Sequence, residues 1–428
     1  MPDAVPDETG RWFSAEGMTG FPARLRAQGA FLPRPLPSLV RLRPRTYRVL
    51  AEAEQAVGRL DEAAARVPDR AGLVRLARLR DVHGSGELGG VFGALRELLV
   101  ADLPGAAGGA AVDLGLLRQL RAGDAAVERV RSGGALNLAL LGQLSRVLDG
   151  TADELGPVVD DEVTAVPWRT GPGWFGGPDP AGAHLIAAPP GPDLQIAGMQ
   201  WSAWVDSGCE APLLARVALG HYQLSVLAPV AHSGHLARLY VSLALIREGA
   251  LRDPLLPVSE WLSRHRDEHR ARVLGVVHDG DLDGYCAFFA RGVAELCRAQ
   301  LRFVERVERI TEEHVSRLGR RMDGIVRVTR DLAATPITTN LRIAQRCGIT
   351  VQQAASLTKQ LRRLGVVRAV SGRGHPQLFT VPDVLELFEL SYPAPPDGDD
   401  AVFGDPVRPL VGAPAEDELS DDEAPVDR

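Results

Sequence analysis

Residues 221–239 read HYQLSVLAPVAHSGHLARL, and the rest of the chain is organised around this stretch. Leucine and valine recur at nearly helical spacing on both sides of it, which predicts an apolar helix before the stretch and another after it. Pro229, Ser233 and Gly234 interrupt that pattern, so we expect a tight loop between the two helices. Because the first backbone N–H groups of a helix have no helical acceptor, a loop of this kind is a ready site for an anion.

The stretch resembles the active-site loop of the Fic (Fido) domain family, whose members transfer AMP onto hydroxyl side chains. The family motif is His-Pro-Phe-x-Asp/Glu-Gly-Asn-Gly-Arg, often preceded by His-Tyr-x-Phe-Glu. Residues 221–223 match the upstream segment, and Pro229 matches the motif proline. Ala228 stands where the family has its histidine, and His232 stands at the acidic position. The end of the motif falls on a shortened segment with Ser233, Gly234, His235 and Arg238.

These departures bear directly on the chemistry that the resemblance implies. The family histidine is the general base, and alanine at 228 has no group that can take a proton. The family carboxylate holds magnesium, and the imidazole of His232 is a poor ligand for so hard an ion. The resemblance therefore implies a Fic-like protein without standard AMP transfer. An alternative is an AMP transferase of altered chemistry that still uses ATP and Mg²⁺, with His232 or His235 as a displaced base.

The histidines of the stretch are not predicted to form a metal site, because a closed zinc site needs four ligands. We interpret His221 as buried and hydrogen-bonded. Besides the enzyme, the other alternative is a scaffold that binds a protein partner and forms a homodimer.

Two other segments resemble parts of the same family. Residues 157–192 are rich in proline and glycine and resemble the β-hairpin flap, which holds a target peptide by strand addition. The candidate flap residues are Arg169, Phe175 and Gly176. Alternatively, Arg169 is solvated and the nearby tryptophans cap the core. Residues 81–87 are predicted to form a polar loop where many members carry an inhibitory glutamate. That glutamate falls on His83, which we interpret as a solvated loop residue, and the following glycine falls on Gly84.

Residues 334–390 have the pattern of a winged helix-turn-helix. Two predicted helices, at 341–346 and 351–364, are joined by a turn at 347–350, and two strands follow around a turn at 372–376. Between Leu341 and Thr380 there are seven lysines or arginines and no acidic residue, which suits a surface that faces DNA. The predicted DNA-facing residues are Gln352, Gln353, Ser356, Lys359, Arg363 and Arg373. A role in dimerisation is the alternative for this module.

The predicted fold class is mainly α: a Fic-like helical domain with a β-hairpin flap, followed by a C-terminal winged helix-turn-helix. An apolar stripe predicts one helix over residues 46–67. The predicted divisions of the chain are a loose leader at 1–30, an N-terminal helical region at 31–112, a Fic-like core at 113–300, a connecting helix at 301–333, the winged helix at 334–390 and an acidic disordered tail at 391–428.

Composition limits the class of protein further. The 428 residues carry a net charge of −7, and the last 38 account for −9 of it, so the tail and not the body is acidic. Four scattered cysteines without CxxC spacing argue against a zinc ribbon or a disulfide framework. We find no apolar run long enough to span a membrane and no signal peptide, and we expect a cytoplasmic protein.

Overall fold

The computed structural model describes residues 5–6, 8–103, 114–157, 166–207, 209–319, 323–370 and 377–389. They belong to one compact unit, Met1–Ser391, and they are mainly helical, as predicted. The helices in chain order are α1 (Ala23–Gln28), α2 (Pro44–Ala64), α3 (Arg70–Leu88), α4 (Leu95–Ala101), α5 (Leu114–Arg131), α6 (Leu138–Asp149), α7 (Pro192–Ser207), α8 (Leu213–Leu227), α9 (Ser233–Arg247), α10 (Val258–Arg264), α11 (Arg266–Asp279), α12 (Leu282–Leu318), α13 (Asp323–Asp331), α14 (Asn340–Cys347), α15 (Val351–Arg363) and α16 (Pro382–Glu389). The strands are β1 (Val5–Pro6), β2 (Gly10–Phe13), β3 (Ala30–Pro33), β4 (Trp174–Phe175), β5 (Leu185–Ala187), β6 (Ile337–Thr339), β7 (Arg368–Ala369) and β8 (Leu378–Thr380). None of the described helices has the length and apolar character needed to cross a membrane.

The core surrounds α8 and α9, the helices on either side of the central loop. Apolar residues predominate around α8, and such a helix is expected to be buried. Residues 217–227 are all buried. The long helix α12 packs against both α8 and α2. The predicted apolar stripe of α2 faces this core, with Leu50, Ala53, Val57, Leu60 and Ala64 buried.

A five-stranded sheet in the order β1-β2-β3-β5-β4 covers one side of the helices. The sheet begins within residues 1–30, which were predicted to form a loose leader. That prediction is wrong for residues 10–30. β2 pairs antiparallel with β3, and β3 pairs parallel with β5. Ala30 and Phe31 are fully buried by this pairing. The leader prediction failed because the strand that completes the sheet, β5, lies more than 150 residues later in the sequence.

Residues 81–87 form the last two turns of α3 and not the predicted polar loop. The glycines that suggested a loop serve close helix packing instead. A Cβ on Gly84 would lie 2.5 Å from the Cα of Glu260, so only glycine lets α10 approach α3 at this point. His83 is consequently a helical residue, half-buried, and its Nε2 donates to the Gly93 carbonyl over 2.8 Å.

The C-terminal module comprises α13 to α16 and a three-stranded sheet in the order β6-β8-β7. The predicted connecting helix over 301–333 is two pieces: α12 runs on to Leu318, and α13 is a separate helix. The module is anchored to α3 at Asp69, whose buried carboxylate accepts hydrogen bonds from Arg346, Thr335 and the Ala334 backbone. The predicted turn at 372–376 and the tail at 391–428 lie outside the described residues.

Candidate functional site

The loop at residues 228–232 is held in an uncommon backbone conformation. Ala228 (φ 43°) and His232 (φ 57°) are the described non-glycine residues with positive φ. Such residues are uncommon because Cβ crowds the backbone, and they persist where surrounding contacts over-determine the structure. Ser233 supplies one such contact, since its Oγ accepts from the Val230 N–H and donates to the Val230 carbonyl. Ser145 supplies another by donating to the Ala231 carbonyl over 3.1 Å.

Arg169 ties this loop to the flap. Its backbone N–H donates to Pro229 O over 3.1 Å, and its Nε donates to Ala228 O over 2.7 Å. The two Nη groups donate to the carbonyls of Gly171 and Ala188, at the base of the β4–β5 hairpin. Burial lowers the pKa of Arg169 to about 10, so the guanidinium is still charged at neutral pH. Arg169 is therefore a structural clamp and not a solvated residue.

A cleft of about 560 Å³ opens between the loop, the flap, α3 and α11. The predicted loop and flap residues that line it are Arg169, Phe175, Gly176, Ala228, His232, Ser233, Gly234, His235 and Arg238. Pro229, His83 and Gly84 are not among its lining residues. The described lining contains four arginines, four histidines and no carboxylate. Together with the positive end of the α9 dipole, this charge favours an anionic ligand.

Arg238 and His235 share one serine at the floor of the cleft. The Arg238 Nη2 donates to Ser85 Oγ over 2.8 Å, and Ser85 Oγ lies 2.9 Å from His235 Nδ1. A hydroxyl that accepts from arginine can donate its own hydrogen to Nδ1, which assigns the imidazole proton to Nε2. That Nε2 is buried and has no partner among the described residues. Burial, with the nearby Arg238, lowers the pKa of His235 well below its usual value, so the ring is neutral.

Three cleft residues of α11, Arg266, His269 and Arg270, were missed from the sequence. Their spacing places them on one helical face, but nothing local shows that this face turns toward the loop. Burial lowers the pKa of His269 to about 3, helped by Arg238 and Arg270. His221 is buried as predicted, with Nδ1 2.7 Å from the Tyr285 hydroxyl.

The two histidines considered as displaced bases are placed very differently. His235 is 6% exposed and has a strongly lowered pKa, which makes it a weak base. His232 lies at the mouth of the cleft, and its Nε2 is 2.6 Å from Asp149 Oδ1. A carboxylate partner of this kind orients an imidazole. Of the two, His232 is the exposed histidine and the one with a carboxylate partner.

The donor set of the cleft does not fit Mg²⁺. Magnesium is held by carboxylates and phosphate oxygens, and no carboxylate belongs to the described lining. Across the described residues there is also no group of three His, Cys, Asp or Glu side chains arranged to hold a metal ion. Among the described residues, the groups that can neutralise an anion in the cleft are arginines, helix N–H groups and imidazole N–H groups.

The outer face of the C-terminal module is a second charged region. On α15 the predicted residues Gln352, Gln353, Ser356, Lys359 and Arg363 are all exposed. Arg362 and, on β7, Arg368 are exposed as well. The inner face of α15 packs on α14 and α13. The hydrogen bonds between the module and α3 involve other residues of the module, namely Ala334, Thr335, Arg346 and Phe388. Among the described residues, the outer face of α15 is thus exposed. Arg373, also predicted to face DNA, lies outside the described residues.

The chain is similar to known proteins at the level of solved structures. No family model matches the chain, and no curated protein matches it. Among solved structures, it is similar to a Fic family protein from Desulfovibrio desulfuricans G20, with 17% sequence identity and a TM-score of 0.48. The match covers 80% of this chain and 97% of that chain. At this identity and this TM-score the match establishes neither a shared fold nor a shared activity, and the function has to be inferred from the cleft and the module.

Proposed function

We propose that this chain is a Fic-like protein that lacks standard AMP transfer and binds DNA through a C-terminal winged helix. The observation that carries the proposal is the open face of α15, where Lys359, Arg362 and Arg363 are exposed and no acid lies between residues 341 and 380. Cations that displace counterions from phosphates supply most of the affinity for DNA. Arg346 is excluded from this set because it pairs with Asp69.

The test is DNA binding by the full chain at graded salt, measured by fluorescence anisotropy with a labelled duplex. We expect log Kobs to fall linearly with log salt concentration, as for other proteins that neutralise phosphates. The double variant Lys359→Ala/Arg363→Ala should weaken binding and reduce the slope by about 2, one for each lost phosphate contact.

The matched control is Arg48→Ala/Arg59→Ala, which removes the same charge from exposed positions on α2. This control should leave both the affinity and the slope unchanged. If the wild-type chain does not bind DNA at low salt, the proposal is wrong, and dimerisation or binding of a protein partner becomes the better account of the module.

A second function is favoured by the cleft: binding of a phosphorylated ligand, such as a nucleotide, without a metal. The four arginines, the start of α9 and the unpaired Nε2 of His235 support it. Preformed hydrogen-bond donors in a low-dielectric cleft bind an anion more strongly than the same donors in water. We expect ATP, AMP or inorganic phosphate to raise the melting temperature equally well with and without EDTA.

Arg270→Gln should weaken this binding, because Arg270 lines the cleft. Arg272→Gln on the same helix is the matched control, since Arg272 pairs with Glu268 away from the cleft. A thermal shift that requires Mg²⁺ would contradict the proposal. Transfer of AMP to protein that is lost in His232→Ala would instead support the enzyme alternative.

A further inference from the structure

We propose that the first two turns of α15 select an adenine–thymine pair in the DNA major groove, with Gln352 as the specificity-determining residue. This inference rests on the DNA binding proposed above. In helix-turn-helix proteins the N-terminal residues of the second helix contact base edges, while other groups contact phosphates. The question is then which chemical groups α15 brings to the bases.

The length of α15 separates base-reading residues from phosphate-binding ones. A helix rises about 1.5 Å per residue, and the major groove is about 12 Å wide. Ser356 therefore lies about 8 Å along the axis from Val351, within the groove, whereas Arg363 lies about 18 Å away. The cations begin only at Lys359, and residues 351–358 contain no lysine or arginine. The groove interior receives neutral groups, and the phosphate rim receives the charges.

The two adjacent glutamines are not equivalent. Gln353 closes a capping box with Thr350: its Oε1 accepts from the Thr350 N–H over 2.9 Å, and Thr350 Oγ1 accepts from the Gln353 N–H over 3.1 Å. With Oε1 occupied, Gln353 cannot offer the paired acceptor and donor that adenine N6 and N7 require. Gln352 is exposed and makes no hydrogen bond to any described residue, so its whole amide is free for that contact.

The neighbouring groups point to the same base pair. Val351 is 49% exposed, and its apolar side chain suits the thymine methyl group. A bidentate arginine or lysine is the commonest contact to guanine, and the first two turns supply neither. An amide next to an apolar side chain, in a groove-facing position, matches adenine and thymine together.

The experiment is selection of bound duplexes from a pool with a randomised core, using the full chain at physiological salt. We expect the enriched duplexes to share an A·T pair at a fixed position. Replacing that pair by G·C should weaken binding about 5- to 150-fold, the range for one lost bidentate contact. Replacing the thymine by uracil, which lacks the methyl group, should cause a smaller loss that disappears in Val351→Ala.

Three variants locate the discrimination. Gln352→Ala should bring the A·T and G·C duplexes close to equal affinity, and Gln352→Arg should favour G·C. Gln353→Ala is the matched control and should keep the A·T preference, although it weakens the helix cap. Salt-dependent binding without a shared A·T pair, or a preference that survives Gln352→Ala, overturns this inference and leaves DNA binding intact. Absence of any DNA binding at low salt overturns the proposed function and this inference with it.

Discussion

The cleft and the outer face of α15 both carry positive charge, and they hold it in opposite ways. In the cleft, Arg169 and Arg238 are partly buried and bonded to carbonyls and hydroxyls, and His235 and His269 beside them are neutral. On α15, the side chains of Lys359 and Arg363 stand in water. The first arrangement suits the small anion proposed for the cleft, whereas the second suits the DNA proposed for the module.

Burial decides whether a cation binds through fixed hydrogen bonds or through long-range attraction. A buried arginine costs desolvation energy and is kept only where fixed partners offset that cost. An exposed arginine keeps its hydration and interacts over a distance that salt controls. Both regions meet at α3, which carries Ser85 toward the cleft and begins next to Asp69, the anchor of the C-terminal module.

The largest expected effect is at this shared element. Asp69→Ala removes a fully buried carboxylate and leaves Arg346, Thr335 and two backbone N–H groups without their acceptor. Breaking one side of a buried ion pair costs about 3–5 kcal/mol. Urea denaturation should show this loss, and Asp69→Asn, which keeps the helix cap, should lose less. If Asp69→Ala destabilised the cleft by the full amount and left the C-terminal module unaffected, Asp69 would not be the anchor of that module.

The next largest effect is the difference in salt dependence between ligand binding at the two regions. With about four phosphate contacts, DNA affinity should fall about 100-fold between 50 and 200 mM salt. Phosphate binding in the cleft should fall by less than about tenfold, because partly buried charges are screened less. Isothermal titration of each ligand across that salt range measures both. Equal salt dependence would mean that the cleft is as open to solvent as the α15 face.

Acid should destabilise the cleft through His269. Its pKa is about 3 in the folded chain and about 6.5 when unfolded, so the unfolded chain binds more protons between these values. The stability that comes from keeping His269 neutral is complete above pH 6.5 and is lost as the pH falls toward 3. The expected loss is about 2 kcal/mol between pH 6.5 and pH 5.

The pH profile of the free energy of unfolding tests this prediction. His269→Gln should make the profile shallower in that window, whatever its effect at neutral pH. His221 and His235, whose pKa values burial also lowers, keep their share of the slope. His278→Gln, at an exposed position on the same helix, is the control and should leave the slope unchanged. A wild-type profile that is already flat would show that His269 is solvated.

The smallest effect concerns the cap of α15. Thr350→Ala removes the side-chain acceptor of the capping box, at a cost of about 1 kcal/mol. DNA affinity should fall a few-fold at unchanged salt slope, while phosphate binding in the cleft stays the same. Thr350→Ser keeps the cap and serves as control. Weaker phosphate binding in Thr350→Ala would contradict the independence of the two regions.

Local patterns gave much of the architecture. The stripe on α2, the apolar helices around the loop and the order of elements in the C-terminal module follow from periodicity and turn residues, which neighbouring residues determine. The exposure of Gln352, Lys359 and Arg363 follows in the same way, because the opposite face of α15 is apolar.

What the sequence could not provide depends on contacts between distant segments. Gly84 suggests a loop until α10 is known to pack against it. The strand β2 has a partner only once β3 and β5 are in place. Arg266, His269 and Arg270 become cleft residues only because α11 turns that face inward. The role of Arg169 was missed because its acceptors are backbone carbonyls, which carry no sequence signal.

The capping role of Gln353 has an evolutionary consequence. Two identical neighbours in the sequence have different roles, since Gln353 caps the start of α15 and Gln352 is exposed without a hydrogen bond to a described residue. Under the proposed DNA binding, a substitution at 352 should leave folding intact and change the preferred DNA sequence in one step. The cleft lacks this freedom, because Arg169 and Arg238 also hold its walls together. Related chains should therefore diverge first in the sequences they recognise and only later in the ligand they hold.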